Sequence, residues 1–342
     1  MKTYGIAIIG TGMVANTHIT AIQGISEAKI TGVFSRNPET TANFAEKYGL
    51  RVFTSYEEVL ADAETDIISI CLPPWLHTEF GLRAAEAGKH LIVEKPIDVA
   101  VAKARQLIHA YNENKLSLSV IFQNRFTPAA KRVKDALDAG VLGRLILGDA
   151  YVKWYRAPQY YSANAWKGTW QYEGGGALLV QAIHTIDLLQ WFMGGIKSVN
   201  GSIRTSIHNI EAEDLGVAVV EYVNGAIGVI EGSTAILPSY KERIELHGTK
   251  GTITLEGGLI TEWKVEGCRE EDFIDVQQIS YGDTNSPVIS DVNHRAQFRD
   301  IINAIDQGKQ SLVNGDEGIK SLEIVLGIYE SSRTGQKVQL GC

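Results

Sequence analysis

The chain has 342 residues, 44% of them hydrophobic and 21% charged, with a formal net charge of −8. That length exceeds one ordinary hydrophobic core and predicts two domains, and an acidic balance with no basic block argues against nucleic acid as a partner. No segment is long and apolar enough to cross a bilayer, and a strand starting almost at the first residue leaves no room for a secretory leader, so a cytoplasmic location is expected. Cys71, Cys268 and Cys342 are too scattered for metal-ligand or disulfide spacing, and no metal is expected.

From residue 4 to 122 short apolar runs alternate with helical periodicity: strands over 4–9, 29–34, 66–72, 90–94 and 116–122, helices over 12–24, 38–48, 77–88 and 99–113. This βαβ series predicts a doubly wound parallel α/β domain of Rossmann type over 1–122, with strands almost continuously apolar because both sheet faces are covered. Residues 123–342 predict an α+β domain with an open, mainly antiparallel sheet. Its expected elements are a helix over 127–139, a strand over 145–154, an aromatic loop, and a long helix from Gly174-Gly175-Gly176 to Met193. Hairpin strands follow between 198 and 265, punctuated by Asn224-Gly225 and Gly257-Gly258. Tyr281 to Pro287 reads as a polar loop. Two closing helices, 294–307 and 317–333, carry apolar stripes (Phe298, Ile301, Ile302, Ile305; Ile319, Leu322, Ile324, Val325, Ile328) and are expected to pack near the cleft between the lobes. The uncovered sheet face predicts self-association as a homodimer or homotetramer.

Gly10-Thr11-Gly12-Met13-Val14-Ala15 follows the first strand and opens the first helix, presenting backbone N–H groups to a dinucleotide pyrophosphate. At the end of the second strand, where a carboxylate usually meets the ribose of NAD, stands Ser35-Arg36. A hydroxyl and a guanidinium suit the 2′-phosphate of NADP, which is favoured; Arg36 stacked on adenine with NAD bound is the alternative. Glu94-Lys95-Pro96 follows the fourth strand. Ligands of open parallel sheets bind beyond the carboxyl ends of the strands, so both tripeptides should face one crevice. Lys95 beside a nicotinamide could hydrogen-bond a substrate oxygen and stabilise the developing alkoxide; a pyrophosphate or structural contact is the plainer role.

In the helix after the triple glycine, Gln181, His184 and Asp187 align opposite Leu179, Ile183, Ile186 and Leu189. Asp187 could orient the imidazole and make His184 a proton acceptor near neutral pH, or could serve an internal hydrogen bond. Eight of the chain's 28 aromatics fall between Tyr151 and Tyr172, too dense for a core alone. With Arg156, Asn164 and Lys167 among them they suit a wall for a carbohydrate, or a subunit interface. Lys95, Tyr155, Arg156, Trp166, Gln181 and His184 are the candidate substrate contacts.

Together these residues resemble the Gfo/Idh/MocA oxidoreductases, the family of glucose–fructose oxidoreductase and the inositol dehydrogenases. The resemblance is carried in order by Gly10 to Ala15, Leu72-Pro73-Pro74-Trp75-Leu76-His77, Glu94-Lys95-Pro96, Phe122 to Phe126, Trp166-Lys167-Gly168-Thr169-Trp170, Gly174 to Leu178, His184 to Asp187 and Ile328 to Gly335. It implies that Lys95 acts on a substrate hydroxyl with His184 as acid/base. It also implies that Leu72, Pro73, His77, Glu94 and Asn124 line the nicotinamide side, and that Trp166 and Lys167 reach the cofactor from the second domain. Members act on pyranoses, inositols or nucleotide sugars, and many assemble through the open sheet.

Two departures stand out. Val180 replaces an Asp or Asn common one helical turn before the histidine, which makes inositol dehydrogenation less expected, and Lys167 replaces an Arg, keeping the charge but not the bidentate geometry. The expected activity is hydride transfer between NADP or NAD and a secondary alcohol or carbonyl of a sugar. The alternatives are a glycoside hydrolase working through transient oxidation and elimination, and a non-catalytic dinucleotide-binding redox sensor.

Overall fold

The computed structural model describes residues 2–275 and 291–341; the loop expected over Tyr281 to Pro287 and Cys342 lie outside them. The chain forms two compact units, one reaching Gln123 and including the later stretch up to Ile319, the other starting at Asn124 and resuming at Lys320.

The first unit alternates β1 (Tyr4–Ile9), α1 (Met13–Gln23), β2 (Ala28–Phe34), α2 (Pro38–Tyr48), α3 (Tyr56–Ala61), β3 (Ile67–Ile70), α4 (His77–Glu86), β4 (His90–Val93), α5 (Val101–Glu113) and β5 (Leu118–Val120). Its strands pair in parallel in the order β2-β1-β3-β4-β5, with β1, β3, β4 and β5 buried along their length except at His90. Helix starts follow local chemistry: the Asn37 side chain accepts from Thr40 N ahead of Pro38, and Gly49 ends α2 in the left-handed region at φ 64°. Six-residue α3, set by the Ser55 cap on Glu58 N, is too short to show a period and was not expected.

The second unit contains α6 (Pro128–Asp138), β6 (Leu145–Lys153), α7 (Pro158–Ser162), α8 (Trp170–Glu173), a π-helical turn (Ala177–Ala182), α9 (Ile183–Met193), β7 (Ile196–Arg204), β8 (Leu215–Tyr222), β9 (Ile227–Ser233), β10 (Arg243–Gly248), β11 (Gly251–Glu256) and β12 (Leu259–Val265). Its eight-stranded sheet runs β12-β11-β10-β6-β9-β8-β7-β13, where β13 is Val338–Gln339; β6 and β9 pair in parallel and the other neighbours antiparallel. Leu178 and Met193 lie over Gly216, Gly232 and Gly148 on one face. On the other, Val217, Val219 and Ile227 are exposed, as strand alternation requires of a sheet covered on one side.

The closing helices depart from expectation. α10 (Asp291–Asp306) buries Phe298, Ile301 and Ile302 in the first unit's core beside Ile19 and Ile22 of α1, so it belongs to that unit and not to the second domain. The division between units falls inside α11 (Gly315–Thr334), after Ile319. Among the described residues no helix is long and apolar enough to cross a membrane.

Candidate active site

One row of paired residues crosses the first unit's sheet: Phe34, Ile9, Ile70, Val93 and Val120 stand side by side. Beyond this row β1, β2 and β4 turn to glycine or polar residues, and β3 to the loop that starts at Cys71. Ser35-Arg36, Gly10-Thr11-Gly12, Leu72-Pro73 and Glu94-Lys95 therefore lie along a single sheet edge. The chain reverses its direction of winding between β1 and β3, where such sheets open a crevice.

The glycines divide two tasks. Gly10 has φ 109°, and a Cβ there would stand 2.6 Å from the Cys71 carbonyl oxygen, so the protein's own packing demands glycine. Nothing lies within 4 Å of a Cβ on Gly12. Its bare backbone is open to whatever approaches from outside, α1 begins there without a side-chain cap, and Met13 is exposed beside it. Buried Ala15 brings the helix close to the sheet. N–H groups at a helix start with no side-chain cap, and space in front of them, fit a dinucleotide pyrophosphate. Thr11 Oγ1 lies 3.4 Å from Ser35 Oγ, and Arg36 is exposed.

His77 differs from expectation. It is fully buried, its ring nitrogens lying 2.8 and 2.9 Å from the carbonyl oxygens of Leu72 and Pro96, and burial holds its pKa below the usual value. It ties the loops after β3 and β4 together without facing a ligand itself. Glu94 is also buried: Oε1 lies 2.9 Å from His18 Nε2, and Oε2 accepts from the Lys95 backbone N–H at 3.1 Å. Burial opposes charge on both groups; it is outweighed at Glu94, which His18 holds at about 2, and at His18, which Cys71 first and then Glu94 raise. The sequence offered one sign of His18, a lone histidine on the apolar face of α1. Among the described residues two groups have donor atoms close enough to hold a metal, His18, Glu94 and His294 here and Asp149, Glu245 and His247 on the second unit's sheet.

In the second unit the expected single helix starts as a π-helical turn, a geometry often found at functional sites. From Glu173 to Gln190 every residue is buried except Val180, Gln181 and His184. Those three form a half-exposed patch on an otherwise buried segment. Fully buried Arg125 donates to Asp187 through Nε at 2.8 Å and Nη2 at 2.7 Å, so both oxygens of Asp187 serve an internal ion pair. Glu213 Oε2 accepts from Gly176 N and Oε1 from Leu178 N, both at 2.8 Å, while Tyr329 Oη donates to Oε1 at 2.7 Å. A Cβ on Gly176 would overlap the Glu213 carbonyl oxygen, which explains the third glycine of the run. Burial pushes the Glu213 carboxyl up to about 7 in spite of its donors.

The aromatics do not form one wall. Tyr151 lies on the sheet beneath Lys153 and Arg243, and Trp170 meets Tyr329 edge-on. Beside the helix a smaller group assembles: Arg156 lies over the Trp154 and Tyr160 rings and donates to Gln181 Oε1 at 2.7 Å, Gln181 Nε2 donates to Tyr160 Oη at 2.8 Å, and Lys167 Nζ stands 3.6 Å above the Tyr160 ring. Arg156, a candidate substrate contact, is itself buried and holds Gln181 in place. Half-buried Tyr155 lies near His208, its ring centroid 6.2 Å away. Lys167, Tyr161, Asn164, His208 and Asn209 line a groove of about 750 Å³. Asn124, the first residue of this unit, lies in the 3-10 turn Gln123–Phe126, and Trp166 is half-buried.

Residues 4–122 match the model of an oxidoreductase family with an NAD-binding Rossmann fold, and residues 130–254 match the GFO/IDH/MocA C-terminal domain. The WlbA dehydrogenase of Bordetella pertussis, solved in complex with NADH and UDP-GlcNAcA, is 30% identical over the whole of both chains with a TM-score of 0.88. An uncharacterised oxidoreductase of Synechocystis is 29% identical over 77% of this chain and 74% of its own. The levoglucosan dehydrogenase of Pseudarthrobacter phenanthrenivorans is 26% identical over 74% and 73%.

Proposed function

The chain belongs to the Gfo/Idh/MocA oxidoreductases, and on that footing we propose that it moves a hydride between a nicotinamide dinucleotide and a secondary alcohol, or the matching carbonyl, of a sugar or sugar derivative. The observation that carries this reading is the row of level strand ends, which sets the pyrophosphate-type glycine turn and Lys95 on one edge of one sheet. When bound, the dinucleotide supplies the hydride acceptor or donor at its ring. Lys95 donates a hydrogen bond to the substrate oxygen and stabilises its negative charge as C–H breaks. His184, on the half-exposed patch with Gln181, takes the hydroxyl proton in oxidation and returns it in reduction. The alcohol loses a hydride and a proton and becomes a carbonyl.

For the dinucleotide, Ser35 and Arg36 at the end of β2 support acceptance of the 2′-phosphate of NADP beside NAD, the form named for WlbA as NADH. For the substrate, the Arg156-Gln181-Tyr160 group supports a polyhydroxylated ligand, in line with the UDP-GlcNAcA and levoglucosan of the relatives' names. The exposed Val217, Val219 and Ile227 support self-association through that sheet face.

The test is turnover of monosaccharides, glycosides, anhydrosugars, inositols and a UDP-sugar with each dinucleotide, followed at the reduced-nicotinamide absorbance. A Lys95→Ala variant should lose turnover while its dinucleotide affinity stays close to wild type. Normal turnover in that variant removes Lys95 from the mechanism; dinucleotide binding with no turnover across the panel favours a redox sensor.

A further inference from the structure

Behind Lys95 runs a buried chain of hydrogen bonds that hydride transfer itself does not use. Glu94 Oε2 accepts from the Lys95 backbone N–H, and its Oε1 faces His18 Nε2. On the far side of the imidazole, Nδ1 lies 2.8 Å from Ser69 Oγ and 3.3 Å from Cys71 Sγ. These partners come from α1, β3 and the end of β4. Phe298 of α10 closes the pocket with its ring edge-on to His18 at 5.1 Å between centroids.

Chemistry fixes the direction of the bond that matters. A carboxylate oxygen only accepts, so Nε2–H donates to Glu94 whether the imidazole is neutral or charged, and the Ser69 hydroxyl serves Nδ1 as donor or acceptor accordingly. With one oxygen held by that N–H, the carboxylate is pinned in the orientation that places its other oxygen on the Lys95 amide. His18 has no exposed surface, so it touches neither substrate nor dinucleotide and acts only through its neighbour.

We propose that His18 is a positioning residue for Lys95: its Nε2–H fixes the Glu94 carboxylate, whose second oxygen anchors the backbone from which the lysine side chain departs. The inference rests on the reading of Lys95 as the group that acts on the substrate oxygen. It accounts for a histidine in an apolar helix face, where an aliphatic side chain would satisfy packing alone.

The test compares His18→Asn, which keeps a polar group near Ser69 but falls short of Glu94, with His18→Gln, whose amide reaches about as far as Nε2. Each is assayed for kcat and KM on the panel sugar with the highest turnover, for NADH affinity by fluorescence, and for hydrogen exchange at the Lys95 amide. Displacement of a reacting group by about 1 Å costs roughly 100-fold. The expected result is that His18→Asn loses roughly 10- to 100-fold in kcat and exchanges the Lys95 amide roughly tenfold faster, with KM and NADH affinity little changed, and that His18→Gln restores most of both. A purely structural histidine would lower stability without this kcat split, and Gln would be no better than Asn; either that pattern or a His18→Asn kcat equal to wild type overturns the inference. Should His18→Asn fail to fold, Ser69→Ala leaves the ring in place and is read the same way, with unchanged kcat and exchange as the refuting result. Lys95→Ala separates the two layers. Normal turnover there removes the underlying reading and the inference with it, whereas a dead Lys95→Ala beside a fully active His18→Asn overturns the inference alone.

Discussion

In the first unit the groups that suit a dinucleotide are borne by backbone: a glycine turn, a helix start and strand ends set level by parallel pairing. In the second, the patch of Val180, Gln181 and His184 is held by side chains reaching across the fold, with Arg125 paired to Asp187 62 residues away and Tyr329 donating to Glu213 from 116 residues away. The two units teach different failure modes. A backbone-borne site loses its ligand when a side chain fills it and keeps its fold, whereas a site held by buried polar networks loses its fold first.

The largest effect expected is in the second unit. Asp187→Ala removes the two carboxylate oxygens that accept from the fully buried Arg125 guanidinium and should cost about 3–5 kcal/mol of stability, read as a lower urea midpoint. A loss under about 1 kcal/mol would show that this network is not what holds the helix and would break the contrast.

Next comes pH, where the units oppose each other through one residue type. Folding raises the Glu213 carboxyl from 4.5 to about 7, so its share of stability is full below pH 4.5 and is lost as pH rises through 7, at most about 3 kcal/mol. Glu94 is depressed to about 2, so its share is present above 4.5 and is lost as pH falls through 2. Glu213→Gln should flatten the fall in stability between pH 4.5 and 7, and Glu94→Gln should flatten the loss on the acid side. Urea melts of both variants across pH 3–8 check this, and the same pH response in the two would erase the distinction.

Smallest in free energy is Gly12→Val. Its Cβ meets no protein atom, so stability should stay within about 0.5 kcal/mol while NADH affinity falls roughly tenfold or more. A stability loss of more than about 1 kcal/mol with affinity unchanged in the folded protein would mean that the turn is structural.

Much of the first unit was legible because its signals are local. The runs around Ile6, Ile68 and Leu91 gave buried parallel strands, and the Gly10-Thr11-Gly12 turn sits directly after the first of them. Short α3 escaped because six residues carry no period. The π-helical turn escaped because Leu178 and Leu179 suit an ordinary helix equally well, and the irregular winding comes with the Glu213 carboxylate on Gly176 and Leu178. The aromatic density before Tyr172 was plain in sequence, yet its division among sheet, loop and helix follows from where β6 ends and α7 begins.

The sequence by itself determined the two classes of sheet and the residues that follow each strand, because hydrophobic period and glycine placement act over a few neighbouring residues. Only the tertiary structure decided that α10 completes the first unit's core, that Asp187 belongs to Arg125, that His77 is enclosed and that His18 stands behind Glu94. α10 docks there because its apolar stripe must leave water, and the polar pairings are settled by the requirement that a polar atom removed from water find a partner wherever the folded chain brings one.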